Sequence, residues 1–248
     1  MKISISQTSK ELGVQAADYS AKILNRCILE TGKARLLLST GKSQFDTIEA
    51  LIRQDVDWTK VEMFHLDEYI GISEDHPAGF RKYLKDRFLS KVTIGAAHLI
   101  NGDGDLHEEI RDLTAAIRKD PIDLALIGIG ENAHIAFNNP PADFDTREAY
   151  RIVALDKKCR EQQVGEGWFS SVDEVPKLAI SMTVHQIMRS KTIVSGVPFA
   201  VKAEAIKKMV ENDVTDQIPA TILKTHPQFA LFLDRDSSSL LDRSSLPD

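Results

Sequence analysis

The sequence predicts an α/β protein built on a mainly parallel β-sheet with helices on both faces. Two observations carry that reading. Short apolar runs alternate along the chain with segments of helical periodicity, the pattern of strand–helix–strand crossovers. The clearest run, residues 122–129, empties directly into Gly128-Ile-Gly-Glu-Asn-Ala-His-Ile-Ala-Phe-Asn-Asn-Pro-Pro. Ligands of such sheets gather outside the carboxyl ends of the strands, so this loop is where chemistry is expected.

The elements follow in order. Thr8 and Glu11 have capping-box spacing and open a helix whose stripe is Leu12, Ala16, Tyr19, Ile23 and Cys27, with Gly32 as terminator. Residues 36–38 read as a buried strand, followed by Ser39-Thr-Gly-Lys-Ser and a helix near 45–52. Residues 61–66 form a second strand that ends in Asp67-Glu68-Tyr69. Helices are expected over 80–88 and 106–117, separated by a turn-rich loop around Asn101-Gly-Asp-Gly. After the strand at 122–129, further strands are expected at 151–155, 178–181, 192–195 and 229–233. A helix with the apolar face Phe199, Ala203, Ile206 and Val210 joins the last two. No linker-like stretch, repeat or low-complexity block divides the chain, so residues 1–248 are expected to form one domain, with a polar tail from Ser237 to Asp248 that frays.

Composition narrows the function. The chain is 42% hydrophobic and 27% charged, ordinary for a soluble globular protein. A formal net charge of −6 argues against nucleic acid as a partner, although a few local donors still suffice for an anionic small molecule. No run approaches the roughly 20 apolar residues of a membrane span, and the N-terminus lacks a signal-peptide core. Cys27 and Cys159 give neither a disulfide framework nor a zinc cluster, and Cys27 reads as core packing. A reducing, cytoplasmic setting is expected. Homo-oligomerisation is left open, since no heptads are visible.

Three strand ends hold candidate chemistry. At Thr40-Gly41-Lys42-Ser43, glycine lets the backbone approach an anion, the first-turn amides point at it, and Lys42 and Ser43 add a charge and a hydroxyl. A Walker A loop would need glycine five positions before Gly41, where this chain has Leu36, which disfavours ATP. The plain alternative is a capped helix start. Asp67, directly after a strand, is placed to act as a general base, or else belongs to an acidic loop with Glu68. His134 is the best single catalytic candidate, flanked by Glu131, Asn132, Asn138 and Asn139, which can fix its tautomer. Lys202, in the first turn of a late helix, either clamps a phosphate or is a plain helical lysine. His65 is expected to pack, and His76, His98, His107, His185 and His226 lack metal-ligand spacing.

Taken together, these landmarks resemble the glucosamine-6-phosphate deaminase/isomerase family. They are Ser39 to Ser43, Phe-His-Leu-Asp-Glu-Tyr at 64–69 with His76-Pro77 downstream, the run from Gly130 to Asn138, Val175-Pro-Lys177 and Lys202, in family order. The related 6-phosphogluconolactonases usually carry Asp-Glu-Arg where this chain has Asp67-Glu68-Tyr69, and Gly-His-Thr-Ala-Ser where it has Ala133-His-Ile-Ala-Phe, which favours the deaminase branch. The resemblance implies a three-layer α/β/α sandwich with a Rossmann-like sheet, of the kind shared with ribose-5-phosphate isomerases and CoA transferases. It implies a reaction without metal or cofactor, in which glucosamine 6-phosphate and water give fructose 6-phosphate and ammonia. His134 would assist ring opening and Asp67 would move the C2 proton to C1, while Thr40, Gly41, Lys42, Ser43 and Lys202 hold the phosphate. The chain departs from the family at Asn132 and Asn139, where carboxylates are usual, with Glu131 as a substitute charge. The phosphate arginine has no counterpart near Gly165-Glu-Gly-Trp, with Lys158 or Arg160 as substitutes. The C-terminal extension of the hexameric, allosterically regulated enzymes is not expected here. Isomerisation or lactone hydrolysis of another phosphosugar, and phosphosugar binding without catalysis, remain as alternatives.

Overall fold

A computed structural model describes residues 1–242. Its strands are β1 (Lys2–Ser6), β2 (Ala34–Leu38), β3 (Val61–His65), β4 (Asp67–Tyr69), β5 (Ala96–His98), β6 (Leu124–Leu126), β7 (Tyr150–Ala154), β8 (Leu178–Met182), β9 (Thr192–Val197) and β10 (Phe229–Asp234). Its helices are α1 (Ser9–Thr31), α2 (Phe45–Leu51), α3 (Phe80–Leu84), α4 (Leu106–Arg118), α5 (Lys157–Gly165), α6 (Val184–Met188) and α7 (Ala203–Glu211). Seven strands form one parallel sheet in the order β1-β10-β9-β6-β2-β3-β5. The chain winds outward to β3 and β5 on one side and to β9 and β10 on the other, so the switch point lies between β2 and β6. That is the position at which such sheets open a crevice.

Side-chain alternation makes the sandwich. Leu36, Leu38, Leu124, Leu126 and Val194 pack with α1 and α2 on one face. Leu37, Ala125, Ile127 and Ile193 pack with α4 and α7 on the other. A parallel strand buried on both faces reads as a continuous apolar run, which is why these segments were legible. The end caps of α1 match expectation: Thr8 Oγ1 accepts from Glu11 N–H at 3.2 Å, and Gly32 ends the helix at φ 78°. Its buried stripe is rotated, however. Leu12, Ala16, Ala17, Ser20 and Leu24 are fully covered, whereas Tyr19, Ile23 and Cys27 are only partly so, because α1 must also meet α2. Gly13 marks that crossing, since a Cβ there would lie 2.6 Å from the Asp46 carbonyl carbon.

Several expectations are corrected. Residues 151–155 and 178–181 do not extend the parallel sheet. They form β7 and β8, which with β4 make a separate antiparallel sheet in the order β4-β8-β7. β7 buries only Tyr150 and then alternates half-buried with exposed residues, the mark of a strand with one wet face, whereas β2 and β10 are buried throughout. Asp67-Glu68-Tyr69 is a strand rather than a loop, with Asp67 opposite Ser181. The run 122–129 pairs as a strand only over β6. β1, β5, α5 and α6 have no counterpart among the elements expected from the sequence. Phe199 is not on the apolar face of α7: it precedes that helix with φ 82° and is 38% exposed. The tail does not fray from Ser237, since Ser237, Ser238 and Leu241 are buried, and Ser237 N–H donates to Asp234 Oδ1 at 2.8 Å. The rest of that expectation, over 243–248, lies outside the described residues. Among the described residues, no helix is long and apolar enough to cross a membrane.

Candidate active site

Four neighbouring strands, β9, β6, β2 and β3, bring their carboxyl ends to one cavity of about 220 Å³. Its lining includes Thr40 to Ser43 after β2, Asp67 after β3, Glu131 and His134 after β6, and Phe199 and Lys202 after β9. Every expected site residue except Asn132 and Asn139 therefore lines the same space, and those two reach it through His134.

The loop after β2 is shaped by Gly41, whose φ of 103° an L side chain rarely adopts. A 3₁₀ turn, Lys42–Gln44, follows, closed by Gln44 N–H onto the Gly41 carbonyl at 3.0 Å. The first amides of such a turn have no acceptor within the helix and suit an anion. Lys202 faces the same end. It is 6% exposed, burial lowers its pKa, and its amine has no ion-pair or hydrogen-bond partner among the described residues. A buried cation without a partner is costly, and a ligand anion supplies what is missing. Lys42, more exposed, lies 5.8 Å over the Trp168 ring.

Asp67 is 7% exposed, and burial pushes its carboxyl up to about 8, helped by the adjacent Glu68 charge. Glu68 turns away from the cavity and is fully held: Oε1 accepts from Tyr69 and Phe80 N–H, and Oε2 from Arg81 N–H at 2.7 Å and Arg81 Nε at 3.3 Å. Two adjacent carboxylates thus have opposite duties, one anchoring the loop and one left without an internal donor. His65 is indeed core, fully buried, its Nε2 accepting from Ile100 N–H at 2.8 Å.

His134 is set by a loop with two non-glycine residues at positive φ, Ala133 at 63° and Ala136 at 47°. Gly130 is obligatory beneath it, since a Cβ there would fall 2.2 Å from the imidazole Cε1. The small sheet clamps the loop: Phe137 N–H donates to Ser181 Oγ at 3.0 Å, and Asn138 Nδ2 donates to the Ile135 and Met182 carbonyls at 2.9 and 2.8 Å. Asn138 is thus an anchor, away from the cavity. Asn132 Oδ1 accepts from the His134 backbone N–H at 3.2 Å, which identifies that atom as the oxygen, and it also contacts His134 Nδ1. Nδ1 therefore carries the ring proton and Nε2 a lone pair. Asn132 Nδ2 in turn donates to Asn139 Oδ1 at 3.4 Å. Burial, reinforced by the charge of Lys202, lowers the imidazole to about 3, so the ring is neutral. Glu131 is exposed at the rim, where it acts on Lys202 and makes no bond to the ring.

Other lining residues escaped sequence reasoning. Gln162, Gln163, Glu166 and Trp168 come from α5 and the strap after it, and Phe80 and Phe137 add apolar walls. The α5 segment has little apolar periodicity, so only the family landmarks hinted at it: Val175-Pro-Lys, and the place near Gly165-Glu-Gly-Trp where the resemblance expects a phosphate-binding arginine. Lys158 and Arg160 are not part of the lining; Arg160 Nη1 donates to the Val172 carbonyl instead. No cluster of three His, Cys, Asp or Glu side chains suited to a metal exists among the described residues.

The class so defined is a Rossmann-like α/β enzyme fold in which a glycine loop at a helix start, a buried lysine and a carboxyl–imidazole pair share one crevice at the switch point. The family described as glucosamine-6-phosphate isomerases/6-phosphogluconolactonase matches residues 7–231. A glucosamine-6-phosphate deaminase of Oenococcus oeni is 33% identical over 231 residues, covering 93% of this chain and 96% of the relative. A solved structure described as a monomeric glucosamine-6-phosphate deaminase superposes with TM-score 0.88 at 32% identity, over 97% of this chain and 100% of that one. The 6-phosphogluconolactonase of Thermotoga maritima, at TM-score 0.77 and 14% identity over 94% of this chain and 99% of that one, shares the fold. The chain belongs to the glucosamine-6-phosphate isomerase/6-phosphogluconolactonase family.

Proposed function

We propose that the chain deaminates and isomerises glucosamine 6-phosphate, giving fructose 6-phosphate and ammonia. The observation that carries the reading is that Asp67, His134, the loop at 40–43 and Lys202 all line one cavity. In this reading the phosphate sits among Thr40, Gly41, Lys42, Ser43 and Lys202, which orients the sugar so that C1 and C2 meet the acid–base pair. Neutral His134 takes the proton from the anomeric hydroxyl on its Nε2 lone pair; as C1=O forms the C1–O5 bond breaks, and the imidazolium returns that proton to O5, which leaves an open-chain aldehyde and a neutral ring. Ionised Asp67 removes the C2 proton while the substrate's C2 ammonium gives a proton to O1, which forms the enolamine, and Asp67 then returns its proton to C1 to leave a C2 iminium. Water then adds to this iminium and ammonia leaves. Asn132, itself bonded to Asn139, keeps the imidazole oriented, and Glu131 contributes charge only at the rim. No step draws on a cofactor.

The proposal extends to a single domain working in a cytoplasmic setting, consistent with the free Cys27 and Cys159. A coupled assay of ammonia release tests it. Turnover by the intact chain that vanishes in Asp67→Asn and His134→Gln is expected. Phosphosugar binding without ammonia, isomerised sugar or lactone hydrolysis would instead favour the binding-only reading. The observation behind that second reading is the amide pair Asn132–Asn139, which offers the imidazole no negative charge. Lactone or isomer turnover without ammonia would move the chain to another phosphosugar.

A further inference from the structure

We propose that Glu166 is an internal competitor for the anion end of the cavity, a fixed negative charge against which the substrate's phosphate must bind. The proposal rests on the cavity being the phosphosugar site, and it assigns Glu166 the part of setting affinity. Glu166 caps the carboxyl end of α5 and lines the cavity. Both its oxygens are held: Oε1 accepts from Gln162 Nε2 at 2.8 Å and Oε2 from Trp168 Nε1 at 3.0 Å. The strap that carries it lies against the anion loop, because the Lys42 amine is 3.9 Å from where a Gly167 Cβ would stand and 5.8 Å from the Trp168 ring.

Of the carboxylates acting on Lys202, Glu166 has the largest influence, yet no carboxylate among the described residues makes an ion pair with that amine. The arrangement leaves the cation able to receive an anion while a neighbouring charge lowers the gain. The two hydrogen bonds fix the carboxylate in place, and its charge at a helix C-terminus opposes the helix dipole, so the charge itself adds nothing to the helix. A phosphate brings nearly two negative charges and meets this carboxylate as a like charge. The consequence is a weaker hold on phosphate-bearing ligands than two lysines and a glycine loop alone would give, and faster release of the phosphorylated product.

Isothermal titration of inorganic phosphate into the wild-type chain, Glu166→Gln and Glu166→Asp reads the effect without any turnover. Glutamine keeps an oxygen for Trp168 Nε1 and removes the charge, and its amide NH2 meets Gln162, whose side-chain amide can turn its own oxygen to accept. Phosphate affinity is expected to rise about tenfold in E166Q, the scale of removing one like charge at a partly buried site. E166D, which withdraws the carboxylate by one methylene, is expected to fall between. The KM for the phosphosugar drops in step, with kcat moving less. Affinity that is unchanged or weaker in E166Q overturns the proposal. Tighter phosphate in a chain that releases no ammonia would uphold it and overturn the activity above. Ammonia release with phosphate affinity unmoved would do the reverse.

Discussion

At one end of the cavity burial lifts Asp67 to about 8 and lowers His134 to about 3, whereas at the other the amines of Lys202 and Lys42 stand before a glycine loop with no acid in contact. Near neutral pH the first end holds an uncharged imidazole and a carboxyl poised between its two states. The second end presents two amines, and burial weakens the hold of Lys202 on its proton. Burial acts on both but is answered differently. In the acid–base pair it sets proton affinity, and at Lys202 it leaves a charge that a ligand must satisfy. Damage at the first end is therefore expected in kcat, and damage at the second in KM.

The largest effect should come from Asp67→Asn, with kcat falling about a thousandfold, within the usual share of a general base. In the wild-type chain, kcat/KM should climb with pH to a midpoint near 8, as the carboxyl ionises. Stability should run the other way. The folded chain keeps this proton between about 4 and 8, where the unfolded chain has released it, so the fold weakens as pH rises through that window. Urea melts should accordingly show Asp67→Asn gaining on wild type between pH 5 and pH 8 and matching it below pH 4. A constant difference would separate Asp67 from the titration.

Gly130→Ala should come next. Its Cβ would displace the imidazole it underlies, and a shift of about 1 Å in a catalytic group costs on the order of a hundredfold. Far-UV circular dichroism should be unaltered; a loss of fold would make Gly130 a structural residue only. Asn132→Asp sharpens the contrast further. A carboxylate beside Nδ1 favours imidazolium and should raise the ring's pKa by about a unit or more, adding a step on the acid side of the kcat/KM profile. A profile indistinguishable from wild type would sever the link between residue 132 and the ring. The smallest effect belongs to the other end: Ser43→Ala should raise KM about threefold to tenfold, the worth of one hydrogen bond, with kcat little altered. A drop confined to turnover at saturating substrate would contradict its phosphate assignment.

The comparison also separates what was readable from what was not. The anion loop and the strand before it were legible because Leu36 to Leu38 is apolar on every residue and Gly41 interrupts it at a helix start. His134 was legible because polar residues crowd a strand's exit. Glu166 and Trp168 were not, since α5 carries almost no apolar periodicity and its place over the anion loop depends on where the small sheet sets it. The same holds for the split duties of Asp67 and Glu68, which are adjacent in sequence. Only the donors of Arg81, Phe80 and Tyr69 tell them apart.

By itself, the order of residues determined the inner strands of the parallel sheet, β10, β9, β6, β2 and β3, the three strand ends that bear polar groups and the family landmarks. These are properties of local periodicity and of short contiguous motifs. The tertiary structure decided that β8 pairs with Asp67 on one side and with β7 on the other, outside the main sheet, that Ser181 and Asn138 clamp the histidine loop, and that Asn132 sets the tautomer of His134. Each of these depends on which groups burial strips of water and which distant partner then replaces it, and proton affinity follows from that pairing rather than from neighbours along the chain.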